Sequence, residues 1–196
     1  MPFSTSDALI NSLKTTHDFL TITREHEWQL GQTCSFEVTH QTTGEIIAVK
    51  VIETGLIIFE PVSKKTTKDV VLSSGVHGNE TAPIEICDKM IRQLLAGEMS
   101  LDVRLLFIFG NPASMNIAQR FVEENMNRLF SGGHSQDQGN GPGLINKERE
   151  RALLLENTVR EFYEAADSAG ERERFHYDLH TAIRGSKNEK FAVYPF

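Results

Sequence analysis

Apolar and polar positions divide the chain into short segments with two different periods. Residues 33–39, 45–53 and 56–60 are rich in β-branched and aromatic side chains and are punctuated by Thr42-Thr43-Gly44 and Thr54-Gly55, so they predict an antiparallel meander. Ahead of them, residues 4–20 predict one short helix. Residues 69–73 carry a Val-Val-Leu run and 103–109 a Leu-Leu-Phe-Ile-Phe run, of the kind found in strands buried on both faces. Between these runs, Pro83 is followed by Cys87, Met90, Ile91 and Leu94 on one face, which predicts a helix over 81–95. Strand, helix and strand together make a βαβ unit in a largely parallel sheet. From 147 to 166, Ala152, Leu155, Val159, Phe162 and Ala166 recur at intervals of three and four, which predicts an amphipathic helix whose many Glu and Arg residues form its solvated face. Residues 175–179 return to a strand pattern ending at His180, and 191–194 begin another strand. Residues 131–143, rich in Gly, Ser and Asn, predict an exposed loop; the Gly-Lys-Ser/Thr ending of a phosphate cradle is missing.

Composition narrows the class. With 196 residues, 39% hydrophobic and 24% charged, the chain can bury roughly 70% of its unfolded surface, which excludes disorder and small stapled scaffolds. The apolar runs at 105–110 and 152–155 are far short of the roughly 20 residues that cross a bilayer. The N-terminal stretch has neither a basic start nor an apolar core, so a cytoplasmic location is expected. Two widely separated cysteines, Cys34 and Cys87, fit a reducing compartment rather than a disulfide framework. A net charge of −7 disfavours nonspecific nucleic-acid binding, yet leaves room for a small anionic substrate held by a few local arginines.

Candidate chemistry concentrates in Ser73-Ser-Gly-Val-His77-Gly-Asn-Glu80-Thr-Ala-Pro83. His77 and Glu80 are three apart at a strand-to-helix junction, where a tight turn can aim an imidazole nitrogen and a carboxylate oxygen at one point. Two ligands close in sequence and one distant are a common way to build a catalytic zinc site, and Asp178-Leu-His180-Thr181 supplies the distant candidate at a strand end. The same pair also fits a plainer role, with Glu80 supporting a helix N-terminus and His77 bonding the turn. Asn111-Pro112-Ala113 follows the second buried strand, and Arg120, Asn127 and Arg128 come soon after. Beside a zinc, arginine suits either bidentate capture of a carboxylate or support of an oxyanion. Alternatively, Arg120 and Arg128 pair on the surface with Glu123 and Glu124. Arg184, four residues past His180, is placed either to reach a second substrate carboxylate or to make a salt bridge. Asp178 can orient a ligand histidine, and His176 shares its strand face.

In this order, His77-Gly-Asn-Glu-Thr-Ala-Pro83, Asn111-Pro-Ala113 with Arg120-Phe121 and Asn127-Arg-Leu-Phe130, then Asp178-Leu-His-Thr-Ala-Ile-Arg-Gly-Ser186 resemble the succinylglutamate desuccinylase and aspartoacylase family, relatives of the zinc carboxypeptidases. The last string is similar to the desuccinylase branch. The resemblance implies a three-layer α/β/α fold with a mixed, mainly parallel sheet and antiparallel N-terminal strands. It implies one Zn²⁺ per chain on His77, Glu80 and His180, an oxyanion-stabilising Arg120, and Asn127 with Arg128 on a substrate carboxylate. It further implies hydrolysis of N-succinyl-L-glutamate to succinate and L-glutamate, the last step of arginine degradation by the succinyltransferase route. On this reading residues 1–62 bring a helix and antiparallel strands to the same domain, and 63–196 form the zinc hydrolase core.

The family's general base is a glutamate on a strand well beyond the third metal ligand, so it is expected beyond residue 196. Glu189 is the one acidic residue after His180, in a polar turn where solvation keeps it an ordinary acid. Three readings therefore stand: an amidohydrolase acting on an acylated amino acid, of desuccinylase or aspartoacylase type; a metallocarboxypeptidase; and a zinc- or anion-binding module without turnover.

Overall fold

The computed structural model describes residues 3–136, 145–166 and 171–181. Its centre is one six-stranded mixed sheet in the order β1-β2-β3-β5-β4-β6. Strands β1 (Cys34–Thr39), β2 (Ile46–Glu53) and β3 (Leu56–Pro61) form the expected antiparallel meander. β3 then pairs antiparallel with β5 (Arg104–Phe109), so the meander extends the same sheet. β4 (Lys68–Ser74) runs parallel to β5 and to β6 (Glu173–Asp178). The helix α3 (Thr81–Leu95) is the crossover between β4 and β5 and has the predicted bounds.

Alternation along β5 shows how the two faces are filled, because successive strand residues point to opposite sides. Leu105, Phe107 and Phe109 join Leu9 and Leu13 of α1 (Ser6–Thr16), Phe19 and Ile22 of α2 (Phe19–Glu25), and Ile84, Cys87, Ile91 and Leu94 of α3. On the opposite face Leu106 and Ile108 meet Ala152, Leu155 and Phe162 of α5 (Lys147–Glu164), with Met126 and Leu129. Three layers result. Each of these large side chains contributes roughly 1.5–3 kcal/mol by leaving water. Among the described residues no helix is long and apolar enough to cross a membrane.

Two expectations are corrected. The single N-terminal helix is two, because His17 turns left-handed (φ 54°) to close α1 while Asp18 caps α2 by accepting from the Thr21 N–H and hydroxyl. The charged first turns of α5 are not a solvated face: Glu148, Arg149 and Arg151 are 1%, 4% and 3% exposed. Arg151 donates to the carbonyls of Thr54, Phe109 and Gly110, closing the ends of β2 and β5 against the helix. Buried charge is tolerable there because the surrounding backbone oxygens solvate it. The strand expected at 191–194 lies outside the described residues.

Candidate metal centre

The parallel strands β4 and β6 end side by side, with Ser73 opposite Asp178, so the residues that follow each strand emerge at neighbouring points of one edge. Such carboxyl ends are where open α/β sheets place their sites. After β4, Gly75 takes a left-handed turn (φ 64°). Gly78 then lies so close to α4 (Pro112–Asn116) that a Cβ would overlap the backbone of Ser114 and Met115. This close approach holds His77 and Glu80 at the start of α3.

Glu80 is the hub. Its Oε1 lies 2.8 Å from His77 Nδ1 and its Oε2 2.9 Å from His180 Nδ1. The Thr181 N–H donates to Oε2 at 2.8 Å, and Arg120 Nη1 approaches Oε1 at 3.3 Å. The two imidazoles stand 5.0 Å apart, and one donor atom from each of His77, Glu80 and His180 falls within 4.8 Å of the others. Burial pushes the Glu80 carboxyl upward, but the Thr181 N–H and both histidines more than offset it and leave it below the usual range.

The outer ring nitrogens determine the tautomers. Asn125 Oδ1 accepts the Asn127 backbone N–H, which identifies it as oxygen, and it also lies 3.1 Å from His77 Nε2, so Nε2 carries the proton. His180 Nε2 lies 2.8 Å from Asp178 Oδ2, an acceptor, and carries its proton for the same reason. Each Nδ1 therefore faces the Glu80 carboxylate, and a protonated ring donates from it to that carboxylate, a contact that helps to lower Glu80. In the neutral rings each Nδ1 offers a lone pair toward the carboxylate oxygens, and two imidazole nitrogens with one carboxylate suit Zn²⁺.

Asp178 is itself placed from behind, since the Ser73 hydroxyl donates to its Oδ1 at 2.9 Å and meets His176 Nε2 at 2.9 Å. Hydrogen bonding to Asp178 raises the His180 pKa above the ordinary imidazole value despite partial burial. Burial pushes Asp178 up, but His180 and Ser73 hold it below the usual carboxylate range. Desolvation lowers His176, with Asp178 opposing.

Of the residues singled out in the sequence, His77, Glu80 and His180 converge and Arg120 joins them. Asn127 and Arg128 form a 3-10 turn (Met126–Arg128) beside Asn125, with Asn127 half-buried and Arg128 exposed. The alternative surface pairing does not form for Arg120, and Glu124 is engaged by Arg149 at 2.7 Å. Arg184 lies outside the described residues. The sequence reading missed Asn125, Ser73 and Glu148: Ser73 only ends a predicted strand, Glu148 falls within a predicted solvated helix face, and only the adjacency of Asn125 to Asn127 and Arg128 is a signal.

A strand-end His–Glu–His cluster able to hold a metal ion, on a mixed sheet between two helical layers, defines an α/β/α protein. The chain belongs to the succinylglutamate desuccinylase and aspartoacylase family, since residues 66–196 match the model described as "Succinylglutamate desuccinylase/Aspartoacylase catalytic domain". It is 50% identical over 188 residues to a succinylglutamate desuccinylase of Shewanella piezotolerans, covering 96% of this chain and 51% of that protein. The corresponding protein of Shewanella pealeana is 48% identical with the same coverage. The chain thus spans about half the length of the curated relatives it matches. Among solved structures it is similar to the succinylglutamate desuccinylase of Chromobacterium violaceum, with a TM-score of 0.71 and 38% identity over 91% of this chain and 50% of that one. The structure from Vibrio parahaemolyticus gives a TM-score of 0.67 and 34% identity over 88% and 46% of the two chains.

Proposed function

We propose that this chain supplies the metal centre and part of the substrate pocket of a zinc-dependent hydrolase that cleaves the amide bond of N-succinyl-L-glutamate, giving succinate and L-glutamate. The observation that carries the reading is the meeting of His77 Nδ1, His180 Nδ1 and Arg120 on the one carboxylate of Glu80. The names of the relatives favour the succinylated substrate.

His77, Glu80 and His180 would hold one zinc ion. When bound, zinc would polarise the amide carbonyl and lower the pKa of water to about 7. Asn125 and Asp178 keep the Nε2 protons of the two histidines in place, which leaves each Nδ1 lone pair available. Arg120, next to the ligands, donates N–H groups to the carbonyl oxygen as negative charge develops there. Asn127 and Arg128 grip a substrate carboxylate, and Arg184 reaches a second one. Water adds its oxygen to the carbonyl carbon, the C–N bond breaks, and a proton moves from that water to the departing amine. A glutamate beyond residue 196 carries this proton. The enzyme would act on a small anion in the cytoplasm, at the end of arginine degradation; the buried free thiols of Cys34 and Cys87 suit a reducing compartment.

Zinc content and succinate release test this together. His77→Ala and His180→Ala should lose zinc; wild-type stoichiometry in both would end the ligand assignment. In the full-length gene product Arg120→Ala should lower turnover on the order of 10²- to 10³-fold. Arg128→Lys should also weaken it, because lysine lacks the two-point fork. Residues 1–196 alone should release succinate at least about 10²-fold more slowly than the full-length gene product, the usual worth of proton transfer. Faster release of acetate from N-acetylaspartate, or of C-terminal residues from peptides, would redirect the reading to an aspartoacylase or a carboxypeptidase.

A further inference from the structure

We infer that Glu148 is the positioning residue for the substrate-gripping loop, an inference that rests on the proposed role of Arg120, Asn127 and Arg128. Glu148 lies in the first turn of α5, far from these residues in sequence, and its side chain is 1% exposed. Among the described residues no cation pairs with its carboxylate. Instead its Oε1 accepts from Asn111 Nδ2 at 2.6 Å and from the Val122 N–H at 2.9 Å. Its Oε2 accepts from the Glu123 and Glu124 N–H groups at 2.7 and 2.5 Å. Four donors, two on each oxygen, match the acceptor capacity of an ionised carboxylate.

The position of these bonds gives them their consequence. Residues 122–124 have no helix or strand of their own, and their three consecutive amides converge on this one carboxylate. Arg120 lies two residues before that anchor, and Asn125, Asn127 and Arg128 lie one to four residues after it. Asn111, the fourth donor, follows β5 and caps α4, and its N–H donates to the Gly75 carbonyl close to His77 and Glu80 in sequence. Glu148 therefore ties the loop that carries the cations to the strand end that carries the metal centre. Its own helix N-terminus stabilises the negative charge. Next along α5, Arg149 grips Glu124 with two bonds of 2.7 Å, closing the same anchor from outside.

Glu148→Gln tests this because an amide of nearly the same shape presents two N–H groups where only acceptors fit. The variant of the full-length gene product is compared with wild type and with Arg128→Ala, using N-succinyl-L-glutamate as substrate and zinc content by elemental analysis. Glu148→Gln should raise KM at least about tenfold and by more than it lowers kcat, with zinc stoichiometry unchanged. Hydrogen exchange should show the amides of 122–124 slow in wild type and fast in the variant, while α3 amides remain slow in both. If Arg128→Ala raises KM and Glu148→Gln does not, the positioning role is overturned and the grip reading survives. If neither variant moves KM, the grip reading fails and the positioning role falls with it. Fast exchange at 122–124 in the unaltered protein overturns the anchor without recourse to any variant.

Discussion

Asn125 Oδ1 lies 3.1 Å from His77 Nε2 and reaches it from a loop 48 residues further along the chain. Because that oxygen also accepts the Asn127 N–H, its orientation is set, and with it the proton on the outer nitrogen of His77. The loop that carries Asn125, Asn127 and Arg128 and the His77–Glu80–His180 cluster thus share a hydrogen bond.

Removing that bond should leave the ligands but loosen their aim. Asn125→Ala is expected to weaken zinc binding on the order of 10- to 100-fold, the usual cost of losing a partner behind a metal ligand, while full occupancy is still reached at saturating zinc. Competition against a chelator of known affinity measures it; an unchanged zinc affinity would show that Asn125 serves the loop alone.

Zinc should also stabilise the fold. At a free concentration about 100-fold above its dissociation constant it contributes about 2.7 kcal/mol, which corresponds to a rise of roughly 5–10 °C in Tm for a chain of this size. Scanning calorimetry with and without zinc checks this, and His77→Ala should abolish the rise.

Gly78→Ala examines the turn that presents the first two ligands. The added methyl meets the backbone of Ser114 and Met115, which cannot rotate away as a side chain end would. The turn must shift, so stability should fall by about 1–3 kcal/mol and zinc affinity should drop with it. Wild-type values of both would mean that α4 yields freely.

Asp69 anchors the parallel end of the sheet. It is fully buried and receives Arg104 at 2.9 Å and Arg172 at 2.7 and 2.8 Å, joining β4 to β5 and to the entry of β6. Asp69→Asn keeps the shape but leaves two guanidinium groups facing a neutral amide, and should cost about 3–5 kcal/mol. Urea unfolding followed by circular dichroism would show it as a lower midpoint with an unchanged slope.

The succession of strands and helices was legible in the residues themselves, since a strand buried on both faces such as Arg104–Phe109 is apolar in every residue after its first and a crossover helix such as Thr81–Leu95 must repeat its apolar face every three to four positions. His77 and Glu80 were legible for a related reason: three residues on a tight turn bring two donors together without help from the rest of the chain. Tertiary structure alone decided the rest. Whether Glu148, Arg149 and Arg151 face solvent or the interior cannot be read from a pattern of polarity, because a charged side chain is buried wherever enough donors or acceptors arrive to replace water. Those arrive from far along the chain: Arg151 takes a carbonyl 97 residues away, and Glu80 meets His180 across 100. Local pattern encodes which elements form. The pairing of β4 with β6, and the loop seated on Glu148, determine which of their polar groups meet.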